Sequence, residues 1–394
     1  MKKIFLLLFL FSLWAWPSSG LALTADSQPA ASAQILEQQI QKLDFSQVEK
    51  VINEIDREMG NYLPKFSFRQ MIDDLKNGRF SWDLKTVLAG IGKYFIEELI
   101  ANSALLGKLV VLAVVCAVLQ NLQSAFDKGT TGKFAHAACY LVLFTIALGS
   151  FSLAVGIGRE AIDRMVGFVL ALLPILLTLL VAVGGMTSAA VFHPFIMGSL
   201  SVISVILKNV IFPLIFFGAI LSIVSQLSER FKVSRLAGLF KELSVICIGL
   251  MLTIFIGILT IQGAIGSVAD SVTLRTAKFA TDTFVPVVGG IFSDALETVV
   301  SYSLLLKNAV GIVGLVIIFL LCTFPVLKIF AITLVYKIAA ALVQPLGDAQ
   351  IAEALETMGS YLVLVFAVVS GVGLMFFVAI TIIIGTANLT VMLR

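Results

Sequence analysis

The sequence predicts an all-α, polytopic helical membrane protein with about eight spans, preceded by a small helical segment outside the cytoplasm. Of its 394 residues, 59% are hydrophobic and only 13% are charged. Several apolar runs of about 19 residues carry no internal charge, which is the length needed to cross ~30 Å of hydrocarbon. The net charge of +3 is too small to favour a nucleic-acid partner.

A recurring motif supports a further division of the membrane region. A lysine opens a hydrophobic run three times, at intervals of about 100 residues. The three copies are Leu106-Gly107-Lys108, Leu207-Lys208-Asn209 and Leu306-Lys307-Asn308. The spacing predicts three tandem units within residues 103–394, approximately 103–200, 201–300 and 301–394. Chance recurrence of Leu, Val, Ile and Gly in an apolar chain is the alternative.

The N-terminus has the pattern of a secretory signal peptide over residues 1–22. Two lysines precede a short apolar core, and small residues follow at Gly20 and Ala22. An uncleaved anchor is the alternative, and either interpretation places the following segment outside the cytoplasm.

Residues 23–102 form the predicted extracytoplasmic segment, with an amphipathic helix over 35–55 and a shorter one near 68–75. A third helix, capped by Ser81, presents Trp82, Leu88 and Phe95 on one apolar face. It continues almost directly into the first span, so we expect it to lie in the membrane interface or to dock a partner. Packing inside a small outer domain is the alternative.

The predicted spans leave two regions that do not fit a simple crossing. Residues 329–343 are short and contain Lys337, which favours a re-entrant or interfacial segment. A crossing at 279–306 would bury Asp294 and Glu297, which favours a re-entrant or surface hairpin. Eight crossings are therefore expected, with nine as the alternative. The eight are residues 104–120, 136–157, 165–183, 188–206, 209–227, 243–266, 309–327 and 360–384.

The orientation follows from the signal peptide, which places residues 127–133 inside. Alternation then places residues 228–242 inside, and their four basic residues agree with the positive-inside rule. The repeat predicts that Lys108, Lys208 and Lys307 all lie on the outer face. If residues 329–343 do not cross, the C-terminus also lies outside.

The sequence contains no catalytic constellation, so we expect no enzyme activity, no cofactor and no metal site. The four cysteines all fall within apolar runs and are expected to be inert thiols. Candidate structural or path positions are the three lysines, together with His193 and the helix-breaking residues Pro286, Gly289 and Gly290. His193 faces either a neighbouring helix or a polar relay, and the glycines belong to a re-entrant loop or a plain turn.

The chain resembles the stage III sporulation protein AE family of endospore-forming bacteria over essentially its whole length. The most telling stretch runs from Gln344-Pro345-Leu346-Gly347-Asp348-Ala349-Gln350 through Ala354-Leu355-Glu356-Thr357-Met358-Gly359 into the last span. The resemblance rests on this stretch and on the overall layout of signal, outer helices and spans.

The resemblance implies a subunit of a channel or secretion-like complex in the mother-cell membrane around the forespore, which sustains late forespore gene expression. It also implies other membrane and ring-forming subunits as partners, and a separate ATPase if the work needs energy. The alternative is a secondary transporter that moves a small solute by itself.

Overall fold

The computed structural model describes residues 44–60, 62, 67–76, 84–125, 130–227, 233–284, 289–346 and 349–392. The predicted signal peptide, Trp82 and Pro286 lie outside these residues. The described chain forms ten α-helices: α1 (Ser46–Met59), α2 (Phe68–Lys76), α3 (Leu84–Ala101), α4 (Ser103–Ala125), α5 (Thr130–Ala182), α6 (Met186–Ile206), α7 (Phe212–Leu227), α8 (Ser234–Phe284), α9 (Gly289–Val343) and α10 (Ala349–Met392). A π turn, Leu207–Ile211, joins α6 to α7, and a 3₁₀ turn, Gln344–Leu346, follows α9.

The described residues confirm an all-α multi-pass membrane protein, with six candidate spans in place of about eight. The spans are Lys85–Leu119, Ala138–Ala182, Met186–Gln226, Ser234–Thr276, Val299–Val343 and Ala349–Leu389. The count differs because α5 joins two predicted spans and the α6–α7 pair joins two more. Helix α9 contains both 309–327 and 329–343, so the ninth crossing of the alternative does not arise. Polar residues between the predicted spans do not end these helices, because their side chains form ion pairs with residues of other helices, as Arg164 does with Glu58 and Lys208 with Asp163.

Residues 329–343 are therefore not re-entrant. They form the last turns of α9, where Ile329, Tyr336 and Val343 are fully buried. The short apolar length that suggested a re-entrant segment results from counting Lys328 as a boundary. The ammonium group of Lys328 instead forms an ion pair with the Glu98 carboxylate of α3, and α9 continues past it.

The helices run alternately up and down the bundle. The α9–α10 contacts descend in order, with Lys337 near Glu356, Cys322 near Val369 and Lys307 near Ile384. Three successive antiparallel pairs result, α4–α5, α6/α7–α8 and α9–α10, and the first member of each pair carries one of the repeated lysines. The relation between the three units as sequence repeats stays a prediction.

The prediction that the three lysines share the outer face is wrong. Lys108 lies one turn from Leu112, which contacts Cys139 of α5, whereas Lys208 pairs with Asp163, which is 24 residues further along α5. Because α4 and α5 are antiparallel, Lys108 lies about 20 residues from the level of Asp163, so at 1.5 Å per residue the two lysines are about 30 Å apart along the bundle. Lys307 lies further still, beyond the level at which Gly314 faces Leu172.

The Gly184-Gly185 turn also differs from the prediction in its position. Because α5 continues through residues 158–164, this turn lies at the end of α5 opposite to residue 130, whereas the two predicted spans 136–157 and 165–183 would return it to the same side. Gly184 adopts φ +97°, a left-handed conformation that glycine accommodates without the steric penalty of a Cβ.

The core of the bundle is α10, which packs on α5, α7, α8 and α9. Close approach to α9 depends on Gly311 and Gly373, because a Cβ at these positions would overlap Ile384 and Cys322. The six candidate spans contain 35 to 45 residues, so each is about 50–70 Å long, roughly twice the thickness of the hydrocarbon layer.

The two N-terminal helices, α1 and α2, form a small core of their own and lie against the bundle. Phe45 packs on Phe68 with ring centroids 5.2 Å apart, and Val48, Ile52 and Met71 are buried with them. Helix α1 contacts α5, and α2 contacts α9. The amphipathic pattern at residues 46–55 thus produces a helix whose apolar side is covered by protein.

Candidate functional site: two polar layers in the bundle

A layer of charged side chains crosses the middle of the long helices. Its centre is Arg164 on α5, which donates to Glu58 of α1 at 2.6 Å and to Glu160 of α5 at 2.6 Å. The pair with Glu58 joins residues 106 positions apart in the chain. Arg164 therefore holds an outer helix against the bundle.

The π turn between α6 and α7 lies in the same layer. Lys208 pairs with Asp163, and the Arg159 guanidinium donates to the Lys208 carbonyl at 3.5 Å. The same guanidinium lies 5.7 Å from the Phe212 ring centroid, within the range of a cation–π contact. A widened turn of this kind is frequent at functional sites, and here it places a lysine against the polar segment of α5.

Helix α3 joins the charged layer from the other side. Lys328 of α9 pairs with Glu98 at 3.5 Å, and the Phe95 ring stacks on Phe330 at 5.7 Å. Tyr62 donates to Glu97 at 2.5 Å, and this hydrogen bond is the main reason that the pKa of Tyr62 is raised above its usual value. Ionic and aromatic contacts thus fix α3 along α9.

A second, buried polar layer lies nearer the end of the bundle that carries the Gly184-Gly185 turn. The Lys307 side chain is 0% exposed and donates to the Ile384 carbonyl at 2.8 Å. No described carboxylate forms an ion pair with it. An ammonium in this setting is costly unless it is neutralised or further hydrogen-bonded, so a lysine at this depth marks a candidate functional position.

Three amide side chains surround the same level. The carbonyl oxygens of Asn308, Asn388 and Gln262 are buried and have no hydrogen-bond partner among the described residues. Gln262 precedes Gly263, which faces Thr386 on α10, and Asn388 is one turn beyond Ile384. Buried polar groups are normally satisfied, so this layer has the chemistry to hold ordered water or a polar solute.

Asp270 of α8 lies at the end of the bundle formed by the Gly184-Gly185 turn. Its carboxylate accepts hydrogen bonds from the backbone N–H groups of Thr187 at 2.7 Å and Ser188 at 3.0 Å, and from the Ser188 hydroxyl at 2.5 Å. Asp270 is fully buried and caps the N-terminus of α6 from a neighbouring helix. It fixes the turn after α5, which makes its role structural.

The remaining predicted positions are dispersed. Lys108 and His193 are exposed on α4 and α6, and neither is joined to the buried polar layer. Gly289 begins α9 and Gly290 lies in its first turn, so they belong to the junction between two helices. Leu88 is 60% exposed, whereas Phe95 is half-buried against α9.

Arg164, Glu58 and Asp270 are not among the site residues predicted from the sequence. The signal was present at residues 158–164, where charged residues interrupt two apolar runs. It was interpreted as a loop between spans, although a helix can continue there when its charges are paired.

These features define a polytopic helical membrane protein in which the N-terminal helix α1 is held by an ion pair against the middle of the bundle. The family model for stage III sporulation protein AE matches residues 66–387. Stage III sporulation protein AE of Bacillus subtilis (strain 168) is 40% identical over 377 residues, covering 96% of this chain and 94% of the relative. The chain therefore belongs to the stage III sporulation protein AE family. No solved structure matches it significantly.

Proposed function

We propose that this chain is a non-enzymatic membrane subunit of a channel or secretion-like complex that links mother cell and forespore. In this proposal it sits in the mother-cell membrane around the forespore and is needed for late forespore gene expression. Family membership supports a role in sporulation. Its partners would be other membrane and ring-forming subunits, with a separate ATPase if energy is required.

The observation that carries the subunit role is the free face of α3. Leu88, Ile96 and Ile100 are 60%, 58% and 65% exposed, while the opposite side of the helix packs on α9 through Tyr94, whose ring centroid lies 4.9 Å from that of Phe324. Contacts with α9, α4 and Tyr62 leave this apolar face uncovered, and exposed apolar surface of this kind is typical of contact with protein or lipid. Its position beside the outer helices suits contact with other subunits.

Site-specific photo-crosslinking from Leu88 in sporulating cells tests the proposal. A photoreactive residue at position 88 should give adducts with other subunits of the complex. The neighbouring Val87 is buried and provides the matched control, which should give no such adducts. Adducts with lipid alone from position 88 would count against the subunit role.

The buried polar layer favours a second candidate, a secondary transporter that acts alone. Lys307 with the amides of Asn308 and Asn388 would form a polar binding position within the bundle. Purification from sporulating cells separates the two functions. A channel subunit should be recovered in a large assembly with other proteins, and a transporter alone or as a small oligomer.

A further inference from the structure

The buried lysine of the second polar layer, Lys307, carries a charge that the described chain does not balance. Three other lysines of the long helices pair with a carboxylate although their side chains are 32–41% exposed: Lys208, Lys328 and Lys337. Lys307 is 0% exposed and forms no ion pair with any described carboxylate. Burying an unpaired ammonium is far more costly than leaving one at the surface, so Lys307 needs a counter-charge more than the other three lysines do.

Asp270 is the other buried charge among the described residues, and it does not serve Lys307. Its two carboxylate oxygens accept three hydrogen bonds from Thr187 and Ser188 of α6. Gly263 lies at the level of Thr386, and Asp270 lies seven residues further along α8, which is about 10 Å beyond that level. The negative charge that balances Lys307 therefore does not come from Asp270.

The ammonium group has hydrogen-bond donors to spare. It has three N–H groups, and one of them reaches the Ile384 carbonyl at 2.8 Å. The same carbonyl is the helical acceptor of the Asn388 N–H, four residues further along α10. Two donors that share one oxygen lie within about 6 Å of each other, so the Asn388 side chain begins beside the ammonium.

Amide side chains from three helices lie at the level of this ammonium. Asn388 belongs to α10, Asn308 follows Lys307 on α9, and Gln262 belongs to α8. Their carbonyl oxygens are buried and have no hydrogen-bond partner among the described residues. Because an amide can turn over and exchange its oxygen for its NH₂ group at little steric cost, each of the three can also donate. The layer can thus present N–H donors from α8, α9 and α10 to one ligand.

We propose that the buried polar layer binds a small monovalent anion such as chloride, with Lys307 as its counter-charge. One ammonium balances one negative charge, and the amide N–H groups complete the coordination of the anion. A Cβ at Gly311 would lie 2.4 Å from Ile384, and one at Gly263 would lie 3.0 Å from Thr386. This close packing favours an ion over a larger anionic solute. The proposal goes beyond both functions considered above, because a resident ion makes the same contacts as a transported one.

Thermal unfolding of the full-length protein in lipid nanodiscs tests the site. Chloride is titrated against gluconate at constant sodium concentration, because gluconate is too bulky for the layer and keeps the ionic strength fixed. A ligand that binds the folded state raises Tm as its concentration increases. The wild type should show a rise in Tm that saturates with chloride and that is the same when potassium replaces sodium.

Two pairs of variants locate the site. Lys307→Met should abolish the saturable rise, whereas Lys337→Met, which removes a lysine paired with Glu356, should keep it. Asn388→Leu should raise the half-saturating chloride concentration several-fold, whereas Asn209→Leu, at an exposed position of the π turn, should leave it unchanged. If Lys307→Met does not fold, the comparison of Asn388→Leu with Asn209→Leu decides.

Three outcomes would overturn the proposal. A wild-type Tm that does not rise and saturate with chloride would mean that Lys307 is neutral or only hydrated. The same half-saturation in the wild type and in either Lys307→Met or Asn388→Leu would indicate an adventitious ion only. A rise in Tm that depends on the choice of sodium or potassium would assign the amide oxygens to a cation. None of these outcomes bears on the channel-subunit role, which is tested separately in cells.

Discussion

The contact between Arg164 and Glu58 predicts a measurable change in how firmly α1 is held against the bundle. Arg164 forms two ion pairs of the same length, 2.6 Å, but only Glu58 belongs to an outer helix. Glu58→Gln removes the charge that joins α1 to α5. Glu160→Gln removes the pair within α5 and leaves Glu58 as the remaining partner of Arg164. The two substitutions therefore form a matched test and control.

The expected magnitude is modest. The Arg164 side chain is 33% exposed and that of Glu58 is 44% exposed, so solvent screening limits the pair to about 0.5–1 kcal/mol. This corresponds to a roughly 2- to 5-fold rise in the open population of α1, because its apolar contacts remain. Hydrogen exchange of α1 amides, in the full chain in lipid nanodiscs, should accelerate by that factor in Glu58→Gln. If the α1 amides exchange at an unchanged rate in Glu58→Gln, or are accelerated equally in Glu160→Gln, the Arg164–Glu58 ion pair does not hold α1 against the bundle.

Three further predictions concern the helix ends of the bundle. Asp270→Leu should destabilise the protein by about 1–2 kcal/mol in thermal unfolding, because the cap of α6 is lost. Asp270→Asn keeps one acceptor and should lose less stability, so equal losses in the two variants would contradict the capping role. Gly184→Ala should lower stability by about 1–2 kcal/mol, because φ is positive and the new Cβ would lie 2.7 Å from Leu274, whereas Gly198→Ala should be neutral. A cysteine at Met186 should be labelled from outside the cell and one at Gln344 from the cytoplasm, and labelling of both from one side would contradict the alternation of the long helices.

Composition and periodicity were sufficient to predict the fold class. The apolar runs are real helical segments, and the boundaries at residues 227 and 343 agree with the structure, whereas α8 begins at Ser234, nine residues before the predicted span 243–266. Span number could not be obtained in the same way, since hydropathy registers the charged segment 158–164 as an interruption. Whether a helix continues through charged residues depends on partners such as Glu58, which are distant in sequence.

The candidate site was only partly accessible from the sequence. The repeat drew attention to Lys208 and Lys307, and both occupy distinctive polar settings. Their depths could not be derived, because depth depends on how the helices are staggered. The carboxylate of Asp270 gave no sequence signal, since its partners are backbone groups of another helix.

The central claim, that the outer helices connect this chain to other subunits, is tested most directly by charging the free face of α3. Leu88→Glu with Ile96→Glu alters only exposed side chains, so the protein should still insert and accumulate. Ala101→Glu, exposed on the same helix but turned away from the free face, controls for added charge. Co-purification from sporulating cells is the measurement. The account predicts that wild type and Ala101→Glu are recovered in a large assembly and that the double variant is not. Recovery of the double variant in the same assembly, with normal sporulation, would contradict the claim.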